Sequence, residues 1–180
     1  MTKACGECAI CCRLIGVAAL AKPAGVWCPH ATPGLGCGIH GSHPAACQAY
    51  RCGWLTMPDL PDSWRPDRCG FMLRSEARGL RLVVEVEPER PDAWRAQPFY
   101  GQIREWSALV RHSERHVVVA VAGALTAVFP ETELALGRSE PGDILAVGYA
   151  VEGLMRRPVA RLTRADGEVI EVAGEAALSL

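Results

Sequence analysis

The chain has 180 residues, with 19 Lys and Arg against 20 Asp and Glu and a formal net charge of −1. That balance leaves no basic excess to neutralise a phosphate backbone, so nucleic acid is not expected as a partner. Hydrophobic residues make up 49% of the chain, enough for a globular core, yet no apolar run approaches the ~20 residues needed to cross a bilayer, and no membrane partner is expected.

The densest chemistry comes first. Cys5, Cys8, Cys11 and Cys12 fall within eight positions, and Cys28, Cys37, Cys47 and Cys52 follow among Gly, Pro and His. This spacing suits loops folded around an ion better than a helix packed by periodicity. A disulfide framework fits poorly. The cysteine count is nine, and the Cα atoms of neighbours such as Cys11 and Cys12 stand only ~3.8 Å apart where a disulfide wants ~4.4–6.8 Å. Export would need a signal, and the only candidate is the short apolar run Leu14 to Ala21, after which cleavage would discard half the cluster. The expected setting is the cytoplasm, with the thiols reduced.

Thiolate is a soft ligand, so four-sulfur sites select zinc or iron–sulfur clusters over magnesium and calcium. The two-residue gaps of Cys5-x2-Cys8-x2-Cys11 serve both. Neighbouring side chains diverge, so Cys11 and Cys12 are expected to serve different ions. Eight cysteines then divide into two four-thiolate sites, with a polynuclear cluster using bridging sulfurs, or histidines replacing some thiols, as alternatives. His30, His40 and His43 sit among the cysteines and read as neighbours of the ligands rather than ligands. Cys69, well beyond Cys52, reads as a small buried hydrophobe.

Residues 1–70 show little sustained apolar periodicity, and metal is expected to take the place of a core. Structural zinc supplies on the order of 10 kcal/mol of apparent binding energy in small domains, comparable to a domain's whole stability. Met57 to Pro66 carries Pro58, Pro61 and Pro66 and reads as an irregular crossing that ends at Cys69-Gly70.

Residues 71–180 read as an α+β accessory region. Leu80, Leu82, Val84 and Val86 alternate with Arg81, Glu85 and Glu87, the period of a half-buried strand, with Val83 the exception. The acidic side chains of Glu85, Glu87 and Glu89 are expected in solvent. From Pro98 to Arg111, Phe99, Ile103, Trp106, Leu109 and Val110 recur at helical spacing. Trp94 and Trp106 are expected in the core. Val117 to Val121 predicts a buried strand, and Pro158 to Thr163 with Glu168 to Val172 flank Ala165-Asp166-Gly167 as a hairpin. No phosphate loop, nucleophile elbow or Ser/His/acid constellation is visible. Residues 80–180 offer only His112 and His116 as metal donors of this kind, without a third ligand, so no metal chemistry is expected there.

The cysteine blocks together resemble the CxxCxxCC family, the YkgJ-like proteins described as zinc- or iron-chelating. The matching blocks are Cys5-Gly-Glu-Cys8-Ala-Ile-Cys11-Cys12-Arg13, Cys28-Pro-His30, Gly36-Cys37-Gly-Ile39 and Pro44-Ala-Ala-Cys47-Gln-Ala-Tyr50-Arg-Cys52. The resemblance spans about the first 70 residues and implies metal binding by these eight cysteines, with no established reaction. His40, His43 and Gln48 stand where the family usually has an aromatic residue and two arginines, so an anion-binding role for those arginines does not carry over.

The expected whole is an α+β chain: a small loop-rich, metal-stabilised cysteine-cluster module at 1–70 followed by a packed α+β unit at 71–180. The expected function is cytoplasmic chelation of zinc or iron through the eight cysteines, in a structural or metal-carrying role. The alternative is an iron–sulfur oxidoreductase or electron-transfer accessory holding a 4Fe–4S cluster. The absence of a flavin or nicotinamide fingerprint favours a binding protein over an enzyme.

Overall fold

Turns rather than long elements organise the first seventy residues. A computed structural model describes residues 3–178, and its fold is α+β. The early elements are α1 (Ile10–Leu14), a 3-10 turn (Ala18–Leu20), β1 (Ala31–Thr32), β2 (Gly36–Cys37), α2 (Ala45–Ala49), α3 (Gly53–Thr56) and α4 (Pro66–Cys69). Frequent Pro and Gly keep them short. Pro66 opens α4 at a position whose N–H would be unsatisfied anyway, and Gly70 closes it in the left-handed region at φ 79°.

Longer elements follow: β3 (Phe71–Glu76), β4 (Arg81–Val86), α5 (Phe99–Val110), β5 (His116–Val121), β6 (Ala124–Val128), β7 (Glu133–Arg138), β8 (Ile144–Glu152), β9 (Met155–Thr163), β10 (Val169–Ala173) and β11 (Ala177–Leu178). One sheet has the order β3-β4-β5-β6-β7, a second is built of β8, β9, β10 and β11 around central β9, and β1 pairs with β2. The β5–β6 turn is Ala122-Gly123, both residues at positive φ, the backbone that a two-residue hairpin requires. No helix among the described residues is long and apolar enough to cross a membrane.

The chain separates into two compact units, Met1–Arg74 with Glu85–Trp94, and Ser75–Val84 with Arg95–Leu180. The first unit has an apolar core of its own, contrary to the expectation that metal alone would replace one. Trp54, Trp64, Phe71, Met72, Leu73, Val86 and Trp94 are buried, and the Trp64 and Phe71 rings meet edge to face at 5.6 Å. Much of this core comes from beyond residue 70, which is why the early sequence showed no periodicity. In the second unit, Ala127, Phe129, Leu134, Leu136, Ala160 and Leu162 form one cluster between strands of the two large sheets.

The strand at 81–86, the helix at 99–110, the strand at 116–121 and the hairpin of β9 and β10 fall where the sequence pattern predicts them. Three details differ. Val83 is buried beside Val84 because β4 is covered on both faces along its middle, and Leu80, in the turn before the strand begins, is exposed. Glu87 is buried and Glu85 accepts from Arg74 at 2.8 Å, so neither is simply solvated. In α5 the buried positions are Ile103 and Ser107, one turn apart; Leu109, roughly 200° around the axis from Ser107, is exposed, and Trp106 is only half-buried.

Candidate metal centre

Each cysteine of the cluster stands in or beside a tight turn. The Cys5 carbonyl accepts from the Cys8 N–H at 3.0 Å, Cys28 from Ala31 at 3.0 Å, Cys37 from His40 at 3.1 Å and Cys52 from Leu55 at 3.0 Å. Cys11 and Cys12 lie in α1, and Cys47 lies in α2. The segments are stitched to one another through the backbone. The Cys28 N–H donates to the Cys12 carbonyl at 3.0 Å, and the β1–β2 ladder opposes Cys37 to Ala31. Lys3 Nζ donates to the carbonyls of Met57 and Leu60, each at 2.7 Å, and its ammonium lies 5.3 Å from the Trp54 ring centre. Gly36 sits at φ +89°, and a Cβ there would stand 2.8 Å from the Gly6 carbonyl oxygen, so only glycine lets β2 approach the Cys5–Cys8 turn.

The outcome is one cavity of about 150 Å³, and all eight cysteines from Cys5 to Cys52 line it. His40 and His43 also line it; their rings lie 5.0 Å apart. His30 and Cys69 do not belong to the wall. Cys69 is 1% exposed, and its thiol donates to the Phe71 carbonyl at 3.1 Å. All nine cysteines are free thiols.

Burial dominates the thiol electrostatics. It pushes Cys8 up to about 11 and also raises Cys5, Cys37 and Cys47 above the ordinary cysteine range. Backbone N–H groups oppose it: those of Ile10 and Asp67 are directed at Cys8, and that of Ile39 at Cys37, each favouring a charged sulfur. Cys11 and Cys12 were expected to diverge, but as successive residues of α1, roughly 100° apart about its axis, they hydrogen-bond to each other. That bond raises Cys11 and lowers Cys12, which also hydrogen-bonds to Cys37.

Sequence reasoning missed several wall residues. Trp54, Tyr50 and Met72 line the cavity, and the Tyr50 hydroxyl donates to Met72 Sδ at 3.1 Å. Trp54 Nε1 and His43 Nδ1 are buried and have no hydrogen-bond partner among the described residues. Lys22 does not line the cavity, but it is 5% exposed and lies within electrostatic reach of the thiols of Cys28, Cys12, Cys11 and Cys47. Eight soft donors in one cavity, amides directed at sulfur, two unpartnered ring nitrogens and a buried cation suit an anionic metal–thiolate occupant. Among the described residues, no group of three or more His, Cys, Asp or Glu is already arranged around a single ion. Compared with protein-family models, curated proteins and solved structures, the chain finds no match.

Proposed function

We propose that the N-terminal region chelates zinc or iron through Cys5, Cys8, Cys11, Cys12, Cys28, Cys37, Cys47 and Cys52, as a structural or carried metal, and that its cysteine blocks make it a CxxCxxCC-type module. The observation that carries this reading is the convergence of those eight thiols, drawn from six separate turns and short helices, on one cavity of about 150 Å³. The one cysteine outside the set, Cys69, is packed away from the cavity. Zinc bound here would need four thiolates in tetrahedral array and would couple its binding to closure of the loops.

A second reading rests on the size of the cavity. A void of about 150 Å³ can take a body as large as benzene, more than a single ion fills, which suits a polynuclear iron–sulfur occupant and an electron-transfer role. Metal analysis of protein purified without oxygen separates the two. Stoichiometric zinc in a colourless preparation is the expected result. Brown protein with matching iron and acid-labile sulfide would select the second reading, and protein that binds neither metal would overturn both.

A further inference from the structure

Lys22 is placed by a tight loop. Val17 and Lys22 face each other in an antiparallel bridge, the Val17 N–H donating to the Lys22 carbonyl at 2.8 Å and the Lys22 N–H to the Val17 carbonyl at 3.1 Å. The side chain then runs back to the end of α1, where Nζ donates to the carbonyls of Arg13, at 2.9 Å, and Ile15. The residue is 5% exposed. Among the described residues no carboxylate pairs with it; Ile15, whose carbonyl Nζ reaches, and Val17, its bridge partner, both line the thiol cavity, which brings the ammonium within electrostatic reach of Cys28, Cys12, Cys11 and Cys47.

A buried ammonium without a counter-charge is expensive, and backbone carbonyls supply only dipoles. Neutral thiols do not remedy that. Thiolates do: four of them around one divalent ion leave a net charge of about −2, whether the ion is zinc or ferrous iron. We infer that Lys22 is the resident counter-charge of the loaded thiolate centre, a fixed cation that favours the metal-bound state of the cavity side formed by Cys11, Cys12, Cys28 and Cys47. This rests on the chelation proposed above. It makes Lys22 a positioning residue that touches no metal and acts through the charge on the sulfurs. The competing role is mechanical: a cap on the last carbonyls of α1, for which any side chain with a donor of suitable reach would serve.

Three variants separate charge from capping. Lys22→Arg keeps the cation, Lys22→Gln keeps a donor for the two carbonyls but drops the charge, and Lys22→Met drops both. Each is purified anaerobically and reduced, stripped of metal, and titrated with zinc against a chromophoric chelator of known affinity. Counter-charge action predicts near wild-type affinity for Lys22→Arg and a loss of about 10–100-fold for both Lys22→Gln and Lys22→Met, the range seen when a group supporting metal ligands is removed. Wild-type affinity in Lys22→Gln, or equal weakening of Lys22→Arg and Lys22→Gln, would overturn the inference while leaving chelation intact. Should Lys22→Met yield no folded protein, the Arg and Gln variants still decide. If the wild-type arm takes up no zinc and reconstitutes no iron, the chelation reading fails, and this inference with it.

Discussion

Around the thiol cavity the chain turns every few residues, and its hydrogen bonds are mostly single turn-closing contacts between an amide and a carbonyl three residues back. From Ala124 to Ala173, by contrast, β6 to β10 exchange antiparallel ladders, and their inward side chains fill one another's gaps in a cluster centred on Phe129, Leu136 and Leu162. The second arrangement is complete as it stands. The first packs well on the side of Trp54, Trp64 and Phe71 but surrounds a void where its cysteines meet. Two stretches of one chain thus offset the entropy of ordering differently, one by strand ladders around an apolar cluster and the other by turns around a thiol-lined void, where under the proposed function an occupant would supply the rest.

Removing metal is the strongest way to test that contrast. Binding energy on the order of 10 kcal/mol would be withdrawn from the cysteine-bearing turns alone. Treatment with a strong chelator is expected to open cleavage sites before residue 70 in limited proteolysis, while amide exchange in Ala124–Ala173 stays slow. Equal loosening of both stretches would erase the distinction. A single ligand should act in the same direction: Cys8→Ser or Cys37→Ser is expected to lower bound metal and raise protease sensitivity in the same region, and unchanged metal content in both would remove them from the ligand set.

The reverse experiment targets the ladders. Leu162 is fully buried in the cluster, and Leu162→Ala should cost about 2–5 kcal/mol in unfolding of the strand-rich stretch with metal content unaltered, measured by denaturant titration and metal analysis of the same sample. Gly36→Ala is smaller and more local. It places a Cβ against the Gly6 carbonyl at a positive φ, at a cost of about 1–3 kcal/mol, and should push Cys37 away from the Cys5–Cys8 turn; a fall in zinc affinity is expected, and none would mean that the turn relaxes freely.

The smallest effect concerns acidity. His116 Nε2 accepts from Arg81 Nε at 2.9 Å while Nδ1 faces the Glu114 carbonyl at 3.3 Å, an arrangement that requires the neutral ring protonated at Nδ1. Burial lowers its proton affinity below the ordinary histidine value of 6.5, and the Arg81 charge adds to this. The folded state then binds fewer protons than the unfolded state, so stability of the unit that holds β5 should decline as pH falls through about 6.5 and level off below the lowered value. His116→Gln, which cannot titrate, should flatten that slope; an unchanged slope would assign it elsewhere.

How much of this was readable in advance follows from which forces act locally. The strand at 81–86, the helix at 99–110 and the β9–β10 hairpin announced themselves through side-chain period and an Asp-Gly turn, both short-range signals. β8 did not, since its run Ile144–Glu152 mixes Ala and Gly with apolar residues and finds its partner only across β9. The ligand candidates were legible because cysteine spacing is itself the signal. Lys22 was not, because its burial depends on the Val17–Lys22 bridge returning the chain to α1, and Trp54 entered the wall through Lys3 and the turn after Cys52. Residue type can be read one position at a time, whereas enclosure needs the path of the whole loop.

Cys69 gives the chain a built-in clock for its own opening. Its sulfur is sealed between the Trp64 and Phe71 carbonyls, and burial pushes the thiol up to about 12, so the nucleophilic thiolate is scarce and unreachable while this segment stays folded. An alkylating reagent applied to metal-free native protein will meet the six partly exposed cavity sulfurs first, then those of Cys28 and Cys52, 7% and 8% exposed, and last that of Cys69, 1% exposed. The delay between the eighth and ninth label, read by intact-mass spectrometry, reports the rate at which the Trp64–Phe71 packing breathes, with no probe introduced.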